Sequence, residues 1–190
     1  MASHSQRPRV ERLVVGITGR IGSGKTTVGR YLESRHRFQY LRYSEILAEW
    51  RAKDPGSKAH LQEVGWEVMA GGMQAELNRR LTARILPDAD VAVDGLRHPL
   101  DYETLNNSFP GSFRLLYIDS SPRLRFERLN QKGKYADFNS FDAADSHSVE
   151  QQIDSLRANA ALVIRNEGSL DDLYAAVDEA IIRFRKEGQS

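Results

Sequence analysis

Short apolar runs alternate along this chain with longer stretches in which apolar residues recur every three or four positions. The short runs are rich in β-branched residues and end at polar or glycine positions, a pattern typical of buried strands. The predicted strands cover residues 13–18, 38–41, 91–94, 113–118 and 162–164. Strands that alternate with helices predict an α/β fold, in which helices cover both faces of a parallel sheet of about five strands.

The longer stretches predict amphipathic helices between these strands. Their predicted bounds are residues 25–35, 45–50, 57–85, 122–129, 149–159 and 170–185. Ser44, Ser121 and Ser169 each stand where a hydroxyl can cap the first turn of one of these helices. Gly71 and Gly72 can divide the third helix, because glycine weakens a helix interior.

Composition limits the organisation and the compartment of the protein. Its 190 residues are 40% hydrophobic, enough for one core but short for two, so residues 11–190 are expected to form a single domain. Residues 1–10 are polar and predict a disordered tail. No apolar run is long enough to span a membrane and there is no cysteine, which fits a cytoplasmic protein without membrane contact.

Charge is balanced along the chain, with 27 Lys and Arg against 26 Asp and Glu. No global field therefore attracts nucleic acid or an anionic membrane, and any anion site must be local. The absence of cysteine also excludes disulfide frameworks, thiolate metal sites and cysteine nucleophiles. A small-molecule partner is expected rather than nucleic acid, and the sequence leaves the oligomeric state open.

Residues 19–26 have the Gly-x-x-x-x-Gly-Lys-Thr pattern of a phosphate-binding loop, the Walker A motif, between a predicted strand and a predicted helix. Glycines let successive backbone N–H groups face one anion, and the helix N-terminus adds partial positive charge. Lys25 is expected to bridge the β- and γ-phosphates of ATP, and Thr26 to place its hydroxyl on Mg²⁺. The alternative is a glycine-rich turn with a solvated lysine. The predicted nucleotide ligands are Gly19, Arg20, Ile21, Gly22, Ser23, Gly24, Lys25, Thr26 and Thr27.

Two polar residues mark the end of the predicted strand 91–94. Asp94 stands at the edge of the sheet where ligands bind in open parallel folds, and it could orient magnesium, accept a hydrogen bond from the acceptor, or cap the turn. Arg97 can reach the same cleft, where a guanidinium donates two hydrogen bonds to a phosphate, unless it lies on the surface. We expect Asp94 and Arg97 to act in catalysis, Arg97 on the acceptor side, and Asp94 to bind magnesium together with Thr26.

Residues 130–148 are polar, contain Gly133 and predict a mobile loop that closes over bound phosphates. Cations within or just before this segment could neutralise the transferred phosphate, namely Arg123, Arg125, Arg128, Lys132 and Lys134. The sequence does not distinguish among them, and a solvated surface role is the alternative for each. A permanently disordered loop is the alternative for the segment.

The motifs together resemble a known group of enzymes. Residues 18–28 resemble the opening of the P-loop small-molecule kinases, and within them the nucleoside monophosphate kinase and dephospho-CoA kinase group. The segment 94–99, Asp-Gly-Leu-Arg-His-Pro, resembles the segment that lines the acceptor site in nucleotide kinases. The resemblance implies a three-layer P-loop NTPase fold with a small lid.

Two later segments carry the same resemblance. Asp119, with Arg123 and Arg128 on the helix after it, resembles the strand end and helix that lead to the lid, which implies a catalytic role for Arg128. The segment from 163 to 170 is similar to the late strand and turn that lie against the adenine ring in these families. That similarity implies that Asn166 and Gly168 bind the nucleotide.

The segment that resembles the acceptor-binding helix also departs from the family pattern. Residues 44–48 look like the family's Asp-x-Leu-Arg helix, but Glu45 replaces the aspartate and Ala48 stands at the arginine position, with Arg51 one turn later as a substitute. The lid lacks the adjacent arginines common in adenylate kinases. Two segments that dephospho-CoA kinases usually carry are also missing, namely Asp-Ala-Asp directly after the second strand and Pro-Leu-Leu after a strand.

The sequence therefore predicts an ATP- and Mg²⁺-dependent phosphotransferase that moves the γ-phosphate to a small phosphorylated acceptor. A nucleoside or deoxynucleoside monophosphate is the first choice of acceptor, and dephospho-CoA is the alternative. A nucleic-acid-end or base kinase and a non-catalytic ATP-binding module are further alternatives. A GTPase switch is disfavoured, because the guanine-specific Asn-Lys-x-Asp motif is absent.

Overall fold

The computed structural model describes residues 12–52, 68 and 70–188. The predicted tail of residues 1–10 and most of the first half of the predicted helix 57–85 lie outside the described residues. Within the described part of the chain, no helix is long and apolar enough to cross a membrane.

A five-stranded sheet forms the centre of the molecule, as predicted. Its strands are β1 Val14–Thr18, β2 Gln39–Arg42, β3 Val91–Asp94, β4 Phe113–Asp119 and β5 Leu162–Arg165. They lie in the order β2-β3-β1-β4-β5, and every neighbouring pair is parallel. The carboxyl ends of all five strands therefore meet at one edge of the sheet.

Helices connect the strands and cover the sheet. They are α1 Lys25–His36, α2 Tyr43–Ala52, α3 Gln74–Thr82, α4 Pro99–Ser108, α5 Pro122–Asn130, α6 Phe138–Asp145, α7 Ser148–Leu156 with a 3₁₀ turn over Arg157–Asn159, and α8 Leu170–Glu187. One apolar core lies between the sheet and the helices α1 and α8, and a second lies on the opposite face under α2, α3 and α4. These layers confirm the predicted three-layer α/β fold of the P-loop type.

The helix α4 was not predicted, although its start signals are in the sequence. Pro99 occupies the first helical position, and His98 and Asp101 form a reciprocal capping box around it. Such a helix is also required by topology, because two parallel strands cannot be joined by a tight turn. Its apolar face is short, with Leu105 as its deeply buried apolar residue, so the periodic signal was weak.

Two predicted caps differ from the structure. Ser44 lies inside α2 rather than before it, because β2 runs directly into the helix at Tyr43. Ser121 does precede α5, with Pro122 at its first position, but the Ser121 hydroxyl donates to Glu167 instead of capping the helix. The third cap is confirmed, since Ser169 forms a capping box with Asp172 at the start of α8.

The segment from residue 130 to residue 148 was expected to be a loop, and for its second half this is wrong. Residues 138–145 form α6, which Asp137 caps by accepting a hydrogen bond from the Ser140 N–H at 2.7 Å. Phe141 on this helix is fully buried and packs against three other aromatic rings. Aromatic burial, which a count of aliphatic residues does not detect, thus fixes α6 to the body of the protein.

Candidate active site at the phosphate loop

The phosphate loop joins β1 to α1 at the carboxyl edge of the sheet. Gly19, Gly22 and Gly24 all have positive φ angles, of 138°, 78° and 110°. A Cβ atom at Gly19 would collide with the backbone carbonyl of Ile118, and one at Gly24 would collide with the side chain of Asn166. Only glycine satisfies these positions, so the loop has the backbone curvature that the motif predicted.

The side chain of Lys25 folds back onto the loop. Its Nζ atom donates hydrogen bonds to the carbonyl oxygens of Gly19 at 2.6 Å and Arg20 at 3.0 Å. Burial lowers the pKa of this lysine to about 8, an effect that the charge of Glu150 opposes. The ammonium thus sits in a desolvated loop, held by acceptors that a phosphate anion could replace.

Asp94 joins the loop to the neighbouring strands. It is almost fully buried at the end of β3, and its Oδ2 accepts hydrogen bonds from the Thr26 hydroxyl at 3.1 Å and the Tyr40 hydroxyl at 2.7 Å. Arg42 approaches the same oxygen with its Nε at 3.7 Å. The other carboxylate oxygen, Oδ1, is buried without a hydrogen-bond partner. The sequence analysis paired Thr26 with Asp94, and the fold brings these two side chains into contact.

This oxygen arrangement suits a magnesium ion. Mg²⁺ is a hard cation that takes one or two protein oxygens and completes its shell with water and substrate phosphates. The unpartnered Oδ1 of Asp94 and the hydroxyl of Thr26 are oxygens of that kind. Among the described residues, no cluster of three or more His, Cys, Asp or Glu residues could hold a metal by itself. The donor set therefore fits an ion that arrives with nucleotide phosphates.

Arg97 is paired with a carboxylate that sequence reasoning missed. Its Nη1 donates to Oε1 of Glu150 at 2.6 Å, and Oε2 of the same carboxylate accepts the backbone N–H of Ile21 at 2.8 Å. Glu150 lies on α7 and its side chain is fully buried. The predicted acceptor role of Arg97 stays a prediction, but this contact places its guanidinium next to the phosphate loop.

A second charge cluster anchors α6 to the loop. Both oxygens of Asp145 accept hydrogen bonds from Arg125, at 2.5 and 2.8 Å, and Arg125 also donates to the Ile21 carbonyl at 3.1 Å. Arg20 contacts the same aspartate at 3.1 Å and forms a further ion pair with Asp154. Arg125, one of the candidate lid cations, is thus engaged in a buried structural pair.

The other candidate cations lie in different surroundings. Arg123 is exposed and pairs with Glu127 on its own helix, and Lys132 and Lys134 are exposed in the turn before α6. Arg128 donates to the Ser120 hydroxyl at 2.9 Å and to the Asn166 carbonyl at 2.9 Å. These contacts do not show whether Arg128 reaches the transferred phosphate, so that role stays a prediction.

Asn166 fastens the turn after β5 to the phosphate loop. Its side-chain Nδ2 donates to the carbonyl oxygen of Ser23 at 2.8 Å, and Arg128 donates to its Oδ1 at 3.2 Å. Gly168 follows in the same turn, packed close to the Asp172 carboxylate. Asn166 therefore lies beside the start of α1 and Gly168 beside the start of α8, and their contact with adenine stays a prediction.

On the acceptor side, α2 starts where β2 ends. Glu45 is exposed and accepts a hydrogen bond from Arg42 at 3.1 Å, and Ala48 is half-buried one turn later. The side chain of Arg51, the predicted substitute cation, lies outside the described residues. Among the described residues, Arg42 is a cation at the start of α2 that sequence reasoning missed. Arg42 could have been found from its position at the end of β2, because the parallel register places it next to Asp94 at the end of β3.

Comparison with known proteins agrees with this geometry. No family model matches the chain. Its relatives include a dephospho-CoA kinase of Frankia casuarinae, 30% identical in an alignment that covers 87% of this chain and 80% of that protein. The chain belongs to the family of P-loop kinases that includes the dephospho-CoA kinases. This kinase is also 26% identical to a UPF0200 protein of Methanothermobacter thermautotrophicus over 93% of each chain.

Solved structures share the fold of this kinase at lower sequence identity. A gluconokinase of Sinorhizobium meliloti superimposes with a TM-score of 0.64 at 16% identity, covering 94% of this chain and 95% of that one. A shikimate kinase of Acinetobacter baumannii superimposes with a TM-score of 0.56 at 19% identity, covering 92% and 95%. These likenesses show the fold, and the family membership identifies an ATP-dependent P-loop small-molecule kinase. The acceptor is a separate question.

Proposed function

We propose that this kinase transfers the γ-phosphate of ATP, bound with Mg²⁺, to a small acceptor that already carries a phosphate group. A nucleoside or deoxynucleoside monophosphate is the proposed acceptor. The observation that carries the proposal is the arrangement at one sheet edge of three features: the phosphate loop with its positive-φ glycines, the oxygens of Thr26 and Asp94, and the guanidinium of Arg42 between Asp94 and the start of α2. The proposed cellular location is the cytoplasm.

The ATP side of the proposal assigns a task to each loop residue. Lys25 leaves the carbonyls of Gly19 and Arg20 and pairs with the β- and γ-phosphates, while loop N–H groups hold the β-phosphate. Thr26 and Asp94 would hold the magnesium ion, which neutralises charge on the phosphate oxygens when bound. Asn166 and Gly168 border the adenine, and Arg128 approaches the phosphates from the same side.

The acceptor side depends on Arg42. No arginine stands at position 48, yet the guanidinium of Arg42 lies between Asp94 and the start of α2. Its Nε is buried without a hydrogen-bond partner, and its Nη1 is held by the exposed side chain of Glu45. An exposed ion pair contributes little, so an incoming phosphate can replace Glu45 as the partner. This arrangement supports a phosphorylated acceptor over a neutral sugar.

Dephospho-CoA is the second candidate acceptor, because a relative of that name shares 30% identity with the chain. The two candidates make different chemical demands. A monophosphate attacks through an oxygen that is already ionised, whereas a ribose hydroxyl must lose a proton during attack. Asp94 would be the nearby carboxylate for that proton, so a hydroxyl acceptor would make turnover depend on an unprotonated Asp94.

The test is a coupled assay of ADP release with a panel of nucleoside and deoxynucleoside monophosphates and dephospho-CoA, each with and without Mg²⁺. We expect one monophosphate to raise ADP release well above the rate without acceptor, and only with magnesium. Lys25→Ala is the control, because it removes charge stabilisation at the transferred phosphate and leaves the loop backbone intact. Selective stimulation by dephospho-CoA would replace the first candidate by the second. ADP release that no phosphorylated acceptor stimulates would refute both.

A further inference from the structure

A fully buried carboxylate lies between the phosphate loop and Arg97. Glu150 on α7 has no solvent-exposed surface. One of its oxygens accepts the guanidinium of Arg97 at 2.6 Å, and the other accepts the N–H of Ile21 at 2.8 Å. Removing a charge from water is costly unless it is paired and fully hydrogen-bonded, so a carboxylate at this place needs a reason.

The pairing with Glu150 holds Arg97 beside the phosphate loop. Because one carboxylate binds both Arg97 and a loop N–H, the guanidinium is fixed beside the part of the loop that precedes Lys25. The Arg97 side chain is itself about one third exposed, so it is accessible to a ligand bound at the loop. A guanidinium in that position can donate to the outermost phosphate of a bound nucleotide while Glu150 holds it from behind.

We propose that Glu150 is a positioning residue that holds Arg97 against the γ-phosphate of ATP. The inference rests on the proposed function and adds a residue and a specificity to it. Arg97 contacts the γ-phosphate, which distinguishes ATP from ADP, and Glu150 acts through Arg97 without touching the nucleotide. Catalytic geometry is sensitive to such support, since a displacement of about 1 Å can reduce a rate on the order of 100-fold.

Glu150→Gln is the informative variant, because it keeps the side-chain shape but removes the charge. A glutamine has one acceptor oxygen, so it cannot bind Arg97 and the Ile21 N–H in the present way. Isothermal titration calorimetry would measure the affinity for ADP and for a non-hydrolysable ATP analogue, both with Mg²⁺. Four proteins would be compared: wild type, Glu150→Gln, Arg97→Ala and the double variant. Glu76→Gln is the matched control, because this carboxylate of α3 is about one third exposed and also pairs with arginines, Arg79 and Arg80.

We expect Glu150→Gln to weaken analogue binding on the order of tenfold and ADP binding less than about threefold, since ADP lacks the group that Arg97 contacts. Arg97→Ala should show the same selectivity, and the double variant should be no weaker than Arg97→Ala, because Glu150 has nothing to position once Arg97 is gone. Equal losses for both nucleotides, independent losses in the double variant, or tighter analogue binding by Glu150→Gln would overturn the inference.

Thermal melting of each variant without nucleotide separates this result from a loss of fold. The outcome is also independent of the acceptor, since binding is measured without turnover. If the nucleotides are distinguished as expected but no acceptor is phosphorylated, the proposed function fails and the role of Glu150 stands. If an acceptor is phosphorylated and Glu150→Gln binds both nucleotides like the wild type, only this inference fails.

Discussion

Lys25 should take up a proton when the phosphate loop binds an anion. Burial lowers its pKa from 10.5 to about 8. At pH 8.5 about three quarters of the molecules would then carry a neutral lysine, and at pH 7 about one tenth. A triphosphate next to the amine favours the charged form and restores the pKa toward its ordinary value. Binding at pH 8.5 should therefore be accompanied by net proton uptake.

Nucleotide binding at pH 8.5 takes up protons rather than releasing them, because the bound protein favours charged Lys25 and the free protein favours neutral Lys25. Lys25 binds its proton less tightly in the free protein than beside a bound triphosphate, so uptake is largest at pH values between the two pKa values and small below them. The terminal phosphate contributes little to the proton uptake measured at pH 8.5, because its second ionisation, with a pKa of about 6, is nearly complete there. The expected uptake is about 0.75 proton per binding event at pH 8.5 and about 0.1 at pH 7.

Calorimetric titration with a non-hydrolysable ATP analogue in two buffers of different ionisation enthalpy measures this uptake. EDTA should be present, so that no magnesium contributes to the signal. The control is Lys25→Met, which keeps much of the side-chain volume but has no amine, and for which the uptake at pH 8.5 should vanish. An uptake below about 0.2 proton in the wild type at pH 8.5 would refute the claim that the loop desolvates Lys25 before ATP arrives.

Other expectations concern the remaining parts of the site. Asp94→Asn should lower kcat on the order of 100-fold and weaken the dependence on magnesium concentration, as followed by initial rates. Arg42→Gln should raise the acceptor KM at least about tenfold with the ATP KM unchanged, whereas Glu45→Gln should leave the acceptor KM unchanged or lower it. Phe141→Ala should cost about 3–5 kcal/mol in urea unfolding, and little loss would mean that α6 is not packed. Amides of residues 131–137, between α5 and α6, should become protected from hydrogen exchange when analogue and acceptor are both bound, and unchanged exchange would assign closure to another segment.

The strands and the loop were predictable because their signals are local. An apolar run that ends in a polar or glycine residue is complete within a few positions, and the Walker A pattern fixes eight consecutive residues between a strand and a helix. The predicted starts of β3 and α1, at Val91 and Lys25, are those of the structure. Local patterns therefore gave the sheet, its edge and the position of the phosphate site.

Elements whose stability comes from distant contacts were harder to predict. The helix α6 owes its place to Phe141 and to the ion pair between Asp145 and Arg125, which is 20 residues away in sequence. The helix α4 has few deeply buried apolar side chains, so its periodicity was weak. In both cases tertiary packing outweighs the local polarity that suggested an irregular segment.

In the site too, residues with local sequence signals were predicted and residues defined by distant contacts were missed. Thr26 and Asp94 were found because each stands at a recognisable strand end or loop. Tyr40 could have been found from register, because it lies two residues before Arg42 and therefore on the same face of β2. Glu150 is 53 residues from Arg97 in sequence, and no local pattern marks a helical glutamate as buried. Polar residues at strand ends and in motif loops are thus easier to predict than the buried counter-charges that contact them.

Those counter-charges follow from the electrostatics of a buried site. A phosphate site must concentrate cations such as Lys25 and Arg97, but an empty site full of unpaired buried cations would be unstable. In this kinase the carboxylates of Glu150 and Asp94 lie among the cations, and backbone carbonyls hold Lys25 in place of a phosphate. With the proposed magnesium ion bound, the charge of ATP would be reduced next to these carboxylates. The local balance explains how a chain with a formal net charge of only +1 can provide an anion site without a basic surface.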